Sequence, residues 1–93
     1  MKRIFWTDVA VADLQNIRSY ISRDSETYAQ GLMLEIFNSI EQAKSFPKMG
    51  RVVPEFKKED TREIIVGNYR IIYEITASSL RILTVLHGAQ LLR

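Results

Sequence analysis

The second half of the chain holds three runs rich in β-branched and aromatic residues, joined by connections too short for anything but hairpins. The runs are Arg62-Glu63-Ile64-Ile65-Val66, then Tyr69-Arg70-Ile71-Ile72-Tyr73-Glu74-Ile75, then Leu80-Arg81-Ile82-Leu83-Thr84-Val85-Leu86. Gly67-Asn68 separates the first pair and Ala77-Ser78-Ser79 the second, and both are turn chemistry. Consecutive strands are therefore antiparallel neighbours, and the resulting sheet needs an apolar layer packed against it.

The first half supplies that layer. Lys2 to Trp6 reads as a further strand ending at Thr7-Asp8, where either side chain can cap a helix. Val11, Leu14, Ile17 and Ile21 then recur at three- and four-residue steps, which predicts an amphipathic helix of about four turns. Arg23-Asp24-Ser25 breaks it and offers a cap for a second helix, whose stripe is Ala29, Leu32, Met33, Ile36, Ile40 and Ala43. Pro47 and Gly50 stop that helix. The predicted fold is α+β in the order β-α-α-β-β-β, a helical hairpin packed on a small, mainly antiparallel sheet, as one domain over residues 1–93. Pro47 to Thr61 is left as a connection of about fifteen residues, a length at which loops are often functional.

Composition narrows the chemistry. With 93 residues the chain holds one core but not two. The absence of cysteine removes disulfides, thiolate zinc sites and cysteine nucleophiles, and points to a reducing compartment. A single histidine argues against a His-built metal cluster, so neither metal nor cofactor is expected. Asp8 and Asp13 interrupt what a signal peptide would need as an apolar stretch, and no apolar run approaches the ~20 residues of a membrane span. A soluble cytoplasmic protein is the expectation. Residues 1–46 carry 5 Lys+Arg and 6 Asp+Glu, or −1, whereas residues 47–93 carry 8 and 5, or +3. That asymmetry points weakly to an anionic partner on the second half, against the plainer reading of an ordinary solvated surface.

Alternation places Tyr69, Ile71, Tyr73 and Ile75 on one face of their strand and Arg70, Ile72, Glu74 and Thr76 on the other. In the last strand it groups Arg81, Leu83, Val85 and His87. With helices over one face, the charged face is expected to be open, and an exposed Arg70 there can grip a phosphate or carboxylate with its planar fork. The competing reading is an ordinary cross-strand ion pair from Arg70 to Glu63 or Glu74. His87 is either a hydrogen-bonded structural histidine or a proton-transfer group, and Lys57-Lys58 is most simply a solvated run offset by Glu59-Asp60. There is no Gly-rich phosphate loop, no Ser-His-Asp pattern and no acidic cluster at metal spacing. What remains open is phosphate-directed chemistry, with arginine stabilising charge and His87, a lysine or a tyrosine moving protons, as RNA cleavage requires.

Taken in order, Ala12-Asp13-Leu14, Ile17-Arg18-Ser19-Tyr20-Ile21, Phe46-Pro47, Gly50-Arg51-Val52-Val53-Pro54-Glu55, Arg62-Glu63, Tyr69-Arg70-Ile71-Ile72-Tyr73 and Val85-Leu86-His87-Gly88-Ala89 resemble the RelE/ParE toxin superfamily over nearly the whole chain. The resemblance implies the toxin of a type II toxin–antitoxin module, neutralised by a cognate antitoxin that wraps a helix or an added strand around it. Leu14, Ile17, Ile21, Leu32 and Ile36 of the helical hairpin are the implied antitoxin-binding residues. One branch of the superfamily cuts mRNA on the ribosome, and the ParE branch poisons DNA gyrase. The chain looks more like the ParE branch through Phe46-Pro47-x-x-Gly50-Arg51, Pro54-Glu55 and His87-Gly88-Ala89, and it has no tyrosine after Tyr73. It departs from the common His-Gly-Ala-Arg ending in having Gln90 after Ala89, with Arg93 three residues on.

The expectation is a ParE-like toxin that binds gyrase, with Arg51, Glu55, Arg62, Arg70, His87 and Arg93 as target-binding candidates. The alternatives are a ribosome-dependent mRNA endoribonuclease using Arg70, Arg62, His87 and Lys57, or an inactive toxin kept as an antitoxin-binding module that reaches operator DNA only through the antitoxin. An exposed Arg70 also implies that Arg70→Ala removes toxicity without disturbing the fold.

Overall fold

The structure, a computed structural model, describes residues 2–88. Its elements are β1 (Arg3–Trp6), α1 (Asp8–Ser22), α2 (Glu26–Ser45), a 3-10 turn (Pro47–Met49), β2 (Arg51–Val52), β3 (Thr61–Val66), β4 (Tyr69–Ile75) and β5 (Ser79–His87). The five strands form one sheet in the order β1-β5-β4-β3-β2. β1 runs parallel to β5, and every other pairing is antiparallel. This is the predicted α+β hairpin-on-sheet architecture with one strand added.

The added strand corrects the expected connection from Pro47 to Thr61. A 3-10 turn and β2 occupy its start, with Arg51 opposite Glu63 and Val52 opposite Arg62. Two paired residues are too few to show any period in a sequence, so only the partner strand reveals them.

The helix starts follow the predicted chemistry. Thr7 caps α1, its hydroxyl accepting from the Ala10 N–H at 3.2 Å and donating to the Ile82 carbonyl at 2.7 Å. Ser25 caps α2 by accepting from the Tyr28 N–H at 3.0 Å. The Thr7 contact does two jobs, since it begins the helix and also ties it to β5.

One face of the sheet and the helical stripes close a single core. Leu14, Leu32, Met33, Ile36, Ile40 and Ala43 from the helices meet Ile64, Val66, Ile71, Tyr73, Leu80, Ile82 and Val85 from the strands. Fully burying each of these large side chains is worth roughly 1.5–3 kcal/mol against leaving it exposed. The hairpin between β3 and β4 turns at Gly67, whose φ of +57° lies in the left-handed region where a side chain is disfavoured.

Tyr73 joins the core to the segment that leads into β2. Its ring is fully buried, and its hydroxyl donates to the Pro47 carbonyl at 2.6 Å while accepting from the Gly50 N–H at 3.1 Å. Gly50 sits so close that a Cβ there would lie 2.8 Å from that hydroxyl and 2.6 Å from the Glu63 carbonyl oxygen. Only glycine fits, because the nearest obstacle is backbone that cannot swing aside.

Burial is the main influence raising the Tyr73 phenol above its ordinary value of 10.0. A proton held more tightly by the folded chain stabilises it below pH 10, and that contribution is lost as pH rises through the raised value, by at most about 1.4 kcal/mol per pH unit. Tyr73→Phe should lower stability at neutral pH by roughly 1–3 kcal/mol, because two buried backbone groups lose their partner. Urea denaturation should also show the gap between wild type and variant narrowing above pH 10.

Candidate functional site: a buried carboxylate between two arginines

β3 carries a charged residue where an apolar one would be ordinary. Glu63 is 1% exposed on the sheet face away from the helices, and a carboxylate so buried is tolerated only with close cationic partners. The register supplies them. Arg51 lies directly opposite on β2, and Arg70 lies diagonally across on β4, where its own partner is Ile65. Arg51 Nε donates to Glu63 Oε2, and Arg70 Nε donates to Glu63 Oε1 at 2.7 Å.

The outer edge of Arg70 is held too. Its Nη1 and Nη2 donate to the two oxygens of Glu55, each at 2.8 Å, a fork-to-fork pair. Glu55 arrives from the loop after β2, which turns back through hydrogen bonds from the Phe56 and Lys57 N–H groups to the Val53 carbonyl. These contacts raise the Arg70 pKa, the Glu55 hydrogen bonds most of all and those of Glu63 adding to them, while burial opposes. The guanidinium is charged across any pH the fold survives.

Arg70 is therefore not the exposed strand arginine that alternation predicted, being only 6% exposed. Its cross-strand partner is Glu63, while Glu74 pairs with Arg81 at 2.8 Å. Arg51, by contrast, keeps 64% of its side chain exposed, so of the two cations that hold Glu63 it is the one open to solvent.

The ribonuclease set is not assembled. Arg62 lies opposite Tyr73, on the helix-side face, and its guanidinium donates to the Gly50 carbonyl at 3.0 Å and the Glu59 carbonyl at 2.9 Å, with Glu59 also as its ion pair. His87 lies opposite Tyr69, on that same face but on the far side of β4 and four residues along it, about 13 Å in the strand direction alone at the usual rise. Arg70, next to Tyr69 in sequence, points the other way. The predicted grouping of Arg81 with Val85 and His87 also fails. Ile72 pairs with Thr84 and Tyr73 with Ile82, so Leu83 has no partner and the alternation reverses there. Lys57 lies exposed in the Glu55 loop with a φ of +54°. Arg93 and Gln90 lie outside the described residues.

Of the five antitoxin-binding candidates, Leu32 and Ile36 are core, at most 5% exposed, Leu14 is 9% exposed but lines the groove described next, and Ile17 and Ile21 are half-buried against the same cluster. A helical stripe marks what is buried, and the sheet of this same chain already buries it. Part of the apolar surface left open lies at its margin, in a groove of about 470 Å³ walled by Trp6, Val11, Leu14, Met33 and Phe37. There the Trp6 and Phe37 rings meet edge-to-face with centroids 5.7 Å apart. Phe37 is 45% exposed and Val11 40%, neither of which the stripe pattern identified as a docking residue.

This architecture is shared with a chain of the solved chromosomal ParDE TA system from P. aeruginosa. The match has a TM-score of 0.75, 18% identity and coverage of 94% of this chain and 96% of that one. Residues 4–92 match the family model described as the ParE toxin of type II toxin-antitoxin system, parDE. The chain is 30% identical over 91 residues to Toxin RelE2 of Caulobacter vibrioides, covering 98% of this chain and 100% of that relative. It is 32% identical over 91 residues to Putative toxin Y4kP of Sinorhizobium fredii, covering 96% of this chain and 91% of that one. The fold thus belongs to the small RelE/ParE toxins. Within them this chain is a member of the ParE toxin family, and so the toxin of a type II toxin–antitoxin system.

Because Arg70 is buried between two carboxylates, its removal strands Glu63 in a poorly solvated position. Arg70→Ala should cost roughly 3–5 kcal/mol of stability, and Arg70→Lys should recover only part, since an ammonium cannot reproduce the fork. Urea titration of both variants tests this, and a wild-type midpoint for Arg70→Ala would contradict it.

Proposed function

We propose that this toxin acts by binding DNA gyrase, as a ParE-type poison, and that a cognate antitoxin neutralises it. The observation that carries this reading is the division of the candidate residues between two faces. Arg70 is on one face, with its guanidinium occupied by Glu63 and Glu55. Arg62 and His87 are on the other, well apart along β4. In-line cleavage of RNA needs charge stabilisation and proton transfer converging on one phosphate, and these residues do not converge.

The membership in a family described by the parDE system supports the same reading. A rigid surface with an exposed Arg51 beside a neutralised Arg70 suits recognition of another protein more than transformation of a small group. Among the described residues no helix is long and apolar enough to cross a membrane, and no group of His, Cys, Asp or Glu is placed to hold a metal ion.

Purified, antitoxin-free toxin should inhibit gyrase supercoiling and trap cleaved DNA. Arg51→Gln, compared with wild type at a temperature where both are folded, should weaken that inhibition about tenfold, a loss of ~1.4 kcal/mol, while Arg70 keeps Glu63 paired. Absence of any effect on gyrase, together with mRNA cleavage on translating ribosomes, would replace this reading with the ribonuclease one.

A further inference from the structure

A second concavity lies on the helix side, at the end of the sheet away from Arg62. It measures about 430 Å³ and is lined by Asp13, Ile17 and Tyr20 of α1, Tyr69 of β4 and His87 of β5. His87 is among the target-binding candidates, but the gyrase reading turns on Arg51 and draws on nothing else here.

Asp13 is fixed there for a structural reason. β1 pairs with β5 only as far as Trp6 opposite Ile82, so beyond that point the edge of β5 away from β4 has no strand beside it. Asp13 Oδ2 fills the gap, accepting from the Val85 N–H at 3.0 Å and from the Thr84 hydroxyl. Its other oxygen, Oδ1, has no hydrogen-bond partner among the described residues. A carboxylate held rigidly by one oxygen, with the other still open at a pocket, is a preorganised acceptor.

The walls complete the environment. The rings of Tyr69 and His87 meet edge-to-face with centroids 5.6 Å apart, and Tyr20 is 67% exposed at the rim. Burial raises the Tyr69 phenol, and the nearby Tyr28 and Tyr20 phenols raise it further. Aromatic faces carry negative potential and attract cations, best of all guanidinium and ammonium groups. None of the lining residues is lysine or arginine. An anion such as a phosphate would face the Asp13 carboxylate and find no lysine or arginine to offset it, only the Asn16 amide, His87 and the phenols.

We propose that the Asp13–Tyr20–Tyr69 pocket seats an arginine or lysine side chain presented by the antitoxin. The choice of donor rests on the toxin reading, whereas the preference for a cation rests on the pocket alone. The cation would form a charge-assisted bond to Asp13 Oδ1 and lie against the tyrosine rings, with its aliphatic stem along Ile17.

The test is an NMR titration of antitoxin-free toxin with N-acetyl-arginine amide, using N-acetyl-norleucine amide and uridine monophosphate as comparisons. Shifts at Asp13, Tyr20, Tyr69 and His87 are expected with the arginine probe only. Asp13→Asn keeps an oxygen for Thr84 and Val85, and Tyr20→Ala alters an exposed side chain, so both should fold. Each should weaken the probe about tenfold. Asp13→Asn should weaken the purified toxin–antitoxin complex by a similar factor. Equal shifts with the neutral probe, preference for the nucleotide, unchanged binding in both variants, or an antitoxin complex indifferent to Asp13→Asn would overturn the proposal. None of these results depends on gyrase, and a negative gyrase assay leaves them standing.

Discussion

Glu63 is the residue around which the strand arrangement of the sheet is settled. A carboxylate that is 1% exposed costs several kcal/mol in lost hydration unless cations surround it. Its two oxygens are divided between Arg51 of β2 and Arg70 of β4. The interaction therefore spans three strands, and it fixes β2, a strand of only two residues, in register beside β3. Glu55 then completes the outer side of Arg70, so that the loop after β2 closes down over the sheet rather than extending into solvent.

The same alternation that buries this network sends its neighbours to the opposite face. Arg62, adjacent to Glu63, turns toward the helices and binds the carbonyls that end the 3-10 turn, where Tyr73 also anchors Pro47 and Gly50. Arg62 and Tyr73 thus hold the junction between α2 and β2 from the core side, while Arg51 and Arg70 hold the next segment from the other. A sheet turns one sequence run into two chemically separate surfaces. In this toxin one surface is a neutralised cation network and the other a core that opens, at its margins, into an apolar groove and a tyrosine-lined pocket.

The division has consequences for function. Residues that look like a catalytic set in one dimension, Arg62, Arg70 and His87, are kept apart by strand parity and by the length of β4. The surfaces that remain exposed are suited to recognition. Arg51 offers charge beside the Glu55 loop, and Trp6, Val11 and Phe37 offer apolar area at the edge of the helical hairpin.

Much of the fold was legible in the sequence because its signals are local. Helical stripes, Thr7 and Ser25 as caps, Pro47 as a stop and Gly67-Asn68 as a hairpin turn each depend on neighbours within a few residues. The ordered motifs along the chain likewise carried the family. The site was legible only as a set of residues. That Glu63 needs cations follows from its place in an apolar strand, but their identity depends on pairing across β2, β3 and β4. The unpaired Leu83 reverses the parity of β5, and no local pattern records a one-residue slip between strands. The hairpin stripe showed that Leu14, Leu32 and Ile36 must be buried, yet not by what. The sequence by itself determined the two helices, the four longer strands and the apolar stripes that had to be buried, since those signals are local, whereas the two-residue β2 depended on its partner. Only the tertiary structure decided which charges meet and which face each one takes, because those depend on register between segments distant along the chain.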